Sequence, residues 1–335
     1  MAAAPASRLV VHAALAGNLL VALTKFAAAW WTGSSAMVSE AIHSTVDTAD
    51  QIVLLYGMSR AERPPDALHP LGYGRELYFW SFIVALLMFT LGAGVTAYEG
   101  LDHILHPHPI ENALVVYIVL AAACVFEGTS WAFALHQFRR AKGDVGYFEA
   151  LRRSKDPPTF IVLFEDSAAL VGLLIAFLGT FFAQRLDLPV LDGVASIGIA
   201  IVLTLTALML AIESKALLIG EPASPDLRRA IMRTASGIGG IEHAQIVFTV
   251  HMAPDQVVVA LSVEFRDSMT APDIERAIDA LEAAIQAAHP EVIAVFVKPE
   301  DKADQIVLPG RFLGRVRRLS GRTAGSAAPT AHRAS

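Results

Sequence analysis

Residues 77–98 read LYFWSFIVALLMFTLGAGVTAY and contain no Asp, Glu, Lys, Arg or His. A helix of that length rises about 33 Å, enough to cross the hydrocarbon of a bilayer, where each backbone polar group must be satisfied inside its own helix. Working outward, five more blocks of similar length appear at 9–31, 36–58, 113–135, 159–183 and 191–212. The 335 residues are 54% hydrophobic and 17% charged, and the apolar residues fall in long blocks instead of short alternating runs, which excludes an ordinary soluble enzyme. The reading is an α-helical membrane protein with six transmembrane helices. The first block carries Asn18 and Lys25 and is too long for the apolar core of a signal peptide, so it counts as a span. The single cysteine, Cys124, lies in the fourth block, packed or facing lipid, and excludes an intrachain disulfide.

Charge sets the topology. Arg60, Arg63 and Arg75 separate the second and third blocks, and Arg139, Arg140, Lys142, Arg152, Arg153 and Lys155 separate the fourth and fifth. The loop LDHILHPHPIEN at 101–112 has neither Lys nor Arg. The positive-inside rule therefore places both termini and the basic loops in the cytoplasm of a bacterial inner membrane.

After residue 212 the texture becomes that of a soluble module. Ser224-Pro225 starts a helix, 244–252 and 256–265 read as strands around Ala253-Pro254-Asp255, Pro272 opens a second helix with Ile274, Ile278, Leu281 and Ile285 on one face, and 292–297 forms a third strand. The order αββαβ predicts a ferredoxin-like domain. The expected division is 1–212 for transport, 213–300 for the cytoplasmic domain and 301–335 for a disordered basic tail rich in Arg, Gly, Ala and Ser.

Ionisable side chains are costly in a bilayer, so each one is a functional candidate. The second block contains Glu40, His43, Asp47 and Asp50, which at 100° per residue fall within about one quadrant of a helix. His43 and Asp47 are one turn apart, so an imidazole and a carboxylate can converge on one ion, with donor types suited to zinc and its first-row neighbours. The same spacing also fits a packing network in which the two satisfy each other. The fifth block supplies Glu165 and Asp166, about 100° apart, of which at most one aims directly at a shared centre. Asp156, before Pro157-Pro158, reads as the N-cap of that helix. Glu99 and Glu127 are further membrane acids that fit an ion or proton path, and Asn18 and Lys25 are placed to bond across the bundle.

The segment GSSAMVSEAIHSTVDTADQ at 33–51, the motif HPLGYGRE at 69–76 and the acid of the fifth span, together with six spans and a ferredoxin-like domain, resemble the cation diffusion facilitator family over 14–296. The resemblance implies a homodimeric exporter of divalent metal, zinc above all, driven by inward proton movement. It carries over His43 and Asp47 as one ligand pair and Asp166 as the last acid of a second pair. The position one turn before Asp166 is Val162, which cannot ligate, so a fourth ligand falls to Asp50, Glu165 or water. The chain is closest to the branch lacking that ligand. Asp66 and His69 match a pair that forms a weaker cytoplasmic site in some members, but Tyr73 stands at the third position; the bland reading is a turn at the entrance of span three.

In the soluble module Ser262 stands where the family often has His, and His243, His251 and His289 are scattered, which favours a metal-free dimerisation domain. His103, His106 and His108 lie on the outer loop, either as solvated residues or as weak catchers of released ions. No nucleophile with a base and no phosphate-cradling glycine loop stands out, so the chain is not read as an enzyme. The expected partners are a divalent cation, protons, the bilayer and a second copy, with no nucleic acid and no permanently bound cofactor beyond the transported ion, Zn2+. Export of manganese, iron or cobalt, and a non-transporting metal-responsive scaffold, are the alternatives.

Overall fold

The computed structural model describes residues 5–32, 35–107, 113–142, 146 and 155–300; the side chains of 35–43 and the basic tail lie outside the described residues. Two compact units emerge, one of residues up to 224 with 250–258 and one of 225–249 with those from 259 on.

The first unit holds the long helices α1 (Pro5–Thr32), α2 (Ser35–Ala61), α3 (Glu76–Leu87) continued through a π-helical turn (Met88–Ala93) into α4 (Gly94–Leu105), α5 (Ala113–Lys142), α6 (Pro157–Arg185) and α7 (Val190–Ile219). Among the described residues, five of these helical stretches are long and apolar enough to span a membrane by length and composition. The exception is α2, whose carboxylates at 40, 47 and 50 and Arg60 dilute its apolar content. It packs against α1 and α3, so its polar face has protein to meet instead of lipid.

The bundle is apolar outside and polar at its centre. Leu23, Phe26, Ile118, Val125, Leu174 and Leu205 are exposed along the helices, as a lipid-facing surface requires, and Cys124 is exposed with them. Inside, α1 buries Val11, Ala14, Asn18, Ala22 and Lys25 at spacings of three and four, and α2 buries Ser44, Thr48, Gln51, Leu54 and Met58. The apolar part of the core joins these helices to Leu77, Tyr78, Val84, Ile161, Val162, Leu210 and Leu217. Where α4 meets α7 the backbones touch: a Cβ on Gly193 would stand 2.8 Å from the carbonyl oxygen of Gly100 and 2.9 Å from the amide nitrogen of Ile104. Such small-residue contacts replace the hydrophobic drive that lipid removes.

The π turn coincides with Thr90, whose hydroxyl donates back to the carbonyl of Leu86 at 2.8 Å, and with Gly92. Widened turns of this kind let a long helix bend. Helix α7 runs seven residues past the expected end at 212, because Leu210, Ser214 and Leu217 continue its buried stripe. Asp156 does occupy the N-cap position of α6, yet its carboxylate accepts from the Thr159 hydroxyl at 2.7 Å in place of a backbone amide.

After the long helices come α8 (Pro225–Ser236), β1 (Ile241–Ala253), β2 (Gln256–Phe265), α9 (Ala271–Ala288) and β3 (Val292–Pro299), with strand order β1-β2-β3; the hairpin residues 250–258 count with the first unit and the rest form the second. A tight hairpin makes β1 and β2 antiparallel, and the α9 crossover makes β3 parallel to β2. This is the expected αββαβ arrangement. Thr270 precedes α9 and its backbone amide and hydroxyl both donate to Asp273 at 2.9 and 2.5 Å, which holds the Asp273 carboxyl below its ordinary range. The helix buries Ala277, Leu281 and Ile285; Ile274 and Ile278 complete the face at its edge.

Candidate functional site

Three helices bring acids to the middle of the bundle. From α2 come Asp47 and Asp50, from α6 Glu165 and Asp166, and from α5 Glu127. Asp50 and Asp166 are each 1% exposed, and Glu165 and Glu127 are also buried. The five carboxyls are near enough for their charges to act on one another. Among the described residues the base that acts on this group is Lys25 of α1. One ammonium does not balance five carboxylates in a low-dielectric interior, so protons or a metal cation must accompany them.

The hydrogen bonds sort these acids. Gln51 Nε2 donates to Glu165 Oε2 at 2.6 Å, tying α2 to α6, while Glu165 Oε1 and Asp50 Oδ1 receive no hydrogen bond among the described residues. Neither carboxylate oxygen of Asp166 receives one either; Ser130 of α5 lies against it without hydrogen-bond geometry. Directly after it, Ser167 is fixed by donating to Leu163 O at 2.6 Å and accepting from Trp131 Nε1 at 2.9 Å. Buried acceptors without donors are rare, because each costs about 1–3 kcal/mol, and an acidic oxygen held that way is ready for a cation.

Lys25 donates to Ser44 Oγ at 2.8 Å, which realises the bond across the bundle expected of it and joins α1 to α2 beside His43. The backbone of His43 is helical, but its side chain lies outside the described residues. Among the described residues no three His, Cys, Asp or Glu side chains are gathered as a metal-binding group. The buried Asp50, Glu165 and Asp166 and the half-buried Asp47 are close enough to feel one another's charge without forming such a group, and the assignment of His43, Asp47 and Asp166 as ligands is an expectation. Val162 is fully buried in the apolar core. Gln51 and Ser130 went unrecognised in the sequence, since neutral polar residues carry no charge signal there; their positions one helical step from an acid were the available clue.

At the entrance to span three, Asp66 anchors a turn. Its Oδ1 accepts from the amides of Leu68 and His69 at 2.9 and 2.7 Å, and its Oδ2 accepts from the Tyr73 hydroxyl at 2.6 Å. The Tyr73 bond, followed by that of His69 N–H, holds the Asp66 carboxyl below the ordinary carboxylate range. The imidazole of His69 lies over the Tyr73 ring with centroids 4.2 Å apart, and its Nδ1 is 3.4 Å from Asp66. Both oxygens of Asp66 are thus engaged in the turn. In the second unit, Ser262 donates to Glu300, while His243 is exposed on β1 and His289 follows α9, 3.6 Å from Glu291. At the end of α4, His103 lies 3.6 Å from Asp192 and His106 lies 3.0 Å from Asp102; His108 is outside the described residues.

A profile described as the cation efflux transmembrane domain matches residues 11–219. The chain is 36% identical over 220 residues to the mitochondrial proton-coupled zinc antiporter SLC30A9 of Homo sapiens, a match covering 65% of this chain and 39% of that protein. It is 34% identical over 218 residues to metal tolerance protein C4 of Arabidopsis thaliana, covering 64% and 48%. It is 25% identical over 287 residues to the cation-efflux pump FieF of Cronobacter sakazakii, covering 84% and 90%. The match thus spans well under half of the human relative.

Proposed function

The chain belongs to the cation diffusion facilitator, or cation efflux, family, and from that premise we propose that it exports a divalent metal ion, zinc, across its membrane in exchange for protons. The observation that carries the reading is Asp166: an acid 1% exposed in the centre of a membrane bundle, both oxygens without hydrogen bonds among the described residues, near four further carboxyls. His43, Asp47 and Asp166 hold the ion, and Asp50 or Glu165 completes the set. Glu165 already accepts from Gln51 through Oε2, so it is the more restrained of the two. Imidazole and carboxylates bind metal only when deprotonated, so protons arriving from the far side displace the ion from the residues that bound it. Rocking of the bundle then exposes one site to each side in turn.

The C-terminal αββαβ module serves a homodimer without metal of its own, which the dispersion of His243, His251 and His289 supports. Both termini face the cytoplasm of a bacterial inner membrane, as the basic loops favour; fractionation separates this from the mitochondrial location in the name of the human relative. The deciding experiment is zinc flux into proteoliposomes under an imposed pH gradient. Flux in the wild type and its loss in Asp166→Asn, with the purified variant still folded, are expected. A wild type that moves no zinc but does move manganese, iron or cobalt replaces the substrate, and one that moves none of these leaves the scaffold reading.

A further inference from the structure

Lys25 is a cation placed inside a site built for cations. Its side chain is 6% exposed, and its ammonium is fixed on Ser44 Oγ at 2.8 Å. Ser44 follows His43 directly and stands three residues before Asp47 on the same helix, so the ammonium lies within roughly 10 Å of the ion position argued above. The helices packed on α1 bring Asp47 and Asp50 from α2, Glu127 from α5, and Glu165 and Asp166 from α6. Lys25 acts on Glu127, which in turn feels Asp47 and Asp166.

A buried ammonium is expensive, and its cost is offset in part by the hydrogen bond to Ser44 and by the acids whose charge it meets. What a neutral group cannot supply is repulsion. Carboxyls that gather negative charge near a divalent ion deepen its electrostatic well, and an ion held firmly leaves slowly; transport needs binding strong enough to load and weak enough to unload.

Building on the metal-exporter reading, we propose that Lys25 is a release-tuning residue, a fixed positive charge that lowers the affinity of the site for a divalent ion so that the ion can leave. It touches no metal; it acts through the field it adds. The consequence is opposite in sign to that of losing a ligand or a packing contact. Neutralising Lys25 tightens binding and slows turnover, so KM and kcat fall together.

The test compares Lys25→Gln, Lys25→Arg and the wild type as full-length protein in detergent, titrated calorimetrically with zinc chloride, and then in proteoliposomes for flux. Lys25→Gln is expected to bind zinc between about tenfold and a few hundredfold more tightly, the size for one charge acting on a divalent ion roughly 10 Å away at an effective dielectric constant of about 20 to 40. Its kcat and KM are both expected to drop, whereas Lys25→Arg keeps the affinity of the wild type. Lys25→Met, close in length and neutral, takes the place of the glutamine variant should that one not fold. Weaker or unchanged zinc binding in the folded neutral variant overturns the inference, as does an arginine variant that binds as tightly as the neutral one. A wild type that binds no divalent ion fails the exporter reading itself, and is distinguished by that result.

Discussion

Replacing Gln51 by leucine tests the contact that ties α2 to α6. Gln51 is fully buried and donates to Glu165 Oε2 at 2.6 Å; its own Oε1 and the Oε1 of Glu165 receive no hydrogen bond among the described residues. Leucine conserves most of the volume, so the packing change is small. Two polar effects oppose each other. Removing the amide strips Glu165 of a donor in a dry site, costing about 1–3 kcal/mol, and it also deletes the unpaired oxygen of the glutamine, which returns part of that. The expected net destabilisation is about 1–2 kcal/mol. Gln51→Glu sharpens the test: a protonated carboxyl can still donate to Glu165, whereas an ionised one cannot and repels it, so that variant should lose stability as pH rises. Unfolding in mixed micelles of increasing SDS fraction, followed by circular dichroism at several pH values, measures both. Zinc binding should survive in Gln51→Leu, because Gln51 is not among the proposed ligands. A leucine variant as stable as the wild type at every pH would refute the reasoning, since it would show that Glu165 does not depend on this donor.

Other perturbations follow from the same structure. Gly193→Ala should destabilise the α4–α7 contact by about 1–3 kcal/mol, because its Cβ meets backbone 2.8 Å away, while Gly128→Ala, with nothing within 4 Å among the described residues, should gain about 0.5–1 kcal/mol of helix stability; the same SDS titration ranks the two. Val162→His places an imidazole one turn before Asp166, and if residue 162 faces the ion, the ratio of zinc to manganese affinity should rise in side-by-side titrations. An unchanged ratio in a folded variant would send the search for a fourth ligand to Asp50 or Glu165. Tyr73→Phe removes the largest influence holding down the Asp66 carboxyl. Since a depressed carboxylate contributes stability above its unfolded pKa and loses it as pH falls through the folded one, the variant's turn should loosen at a higher pH than the wild type's. A carbon-13 titration of Asp66 checks this, with identical midpoints as the contrary result.

The helical and strand elements were legible because their signals are local. Apolar blocks as long as a bilayer is thick, and the αββαβ pattern behind Pro225 and Pro272, need no knowledge of neighbours. Helix ends were less legible: α7 continues to Ile219 because Ser214 and Leu217 find buried places, a fact about packing that composition near residue 212 does not carry. The π turn at Met88–Ala93 was likewise invisible, since the same apolar letters would serve a regular helix.

By itself the sequence determined that polar and charged groups enter the bilayer on α1, α2, α5 and α6, because the cost of such groups in hydrocarbon makes each of them stand out against its block. It also determined that Glu165 and Asp166 cannot aim alike, since 100° per residue is a property of any helix. Only the tertiary structure decided their partners. Glu165 is held by Gln51 across 114 positions of chain, Asp166 keeps both oxygens without hydrogen bonds among the described residues, and Lys25 reaches Ser44 on the next helix. Hydrogen bonds and charge act through distance in space, and the spacing between helices is set by packing, as where the absence of a Cβ at Gly193 lets α7 meet the backbone of α4.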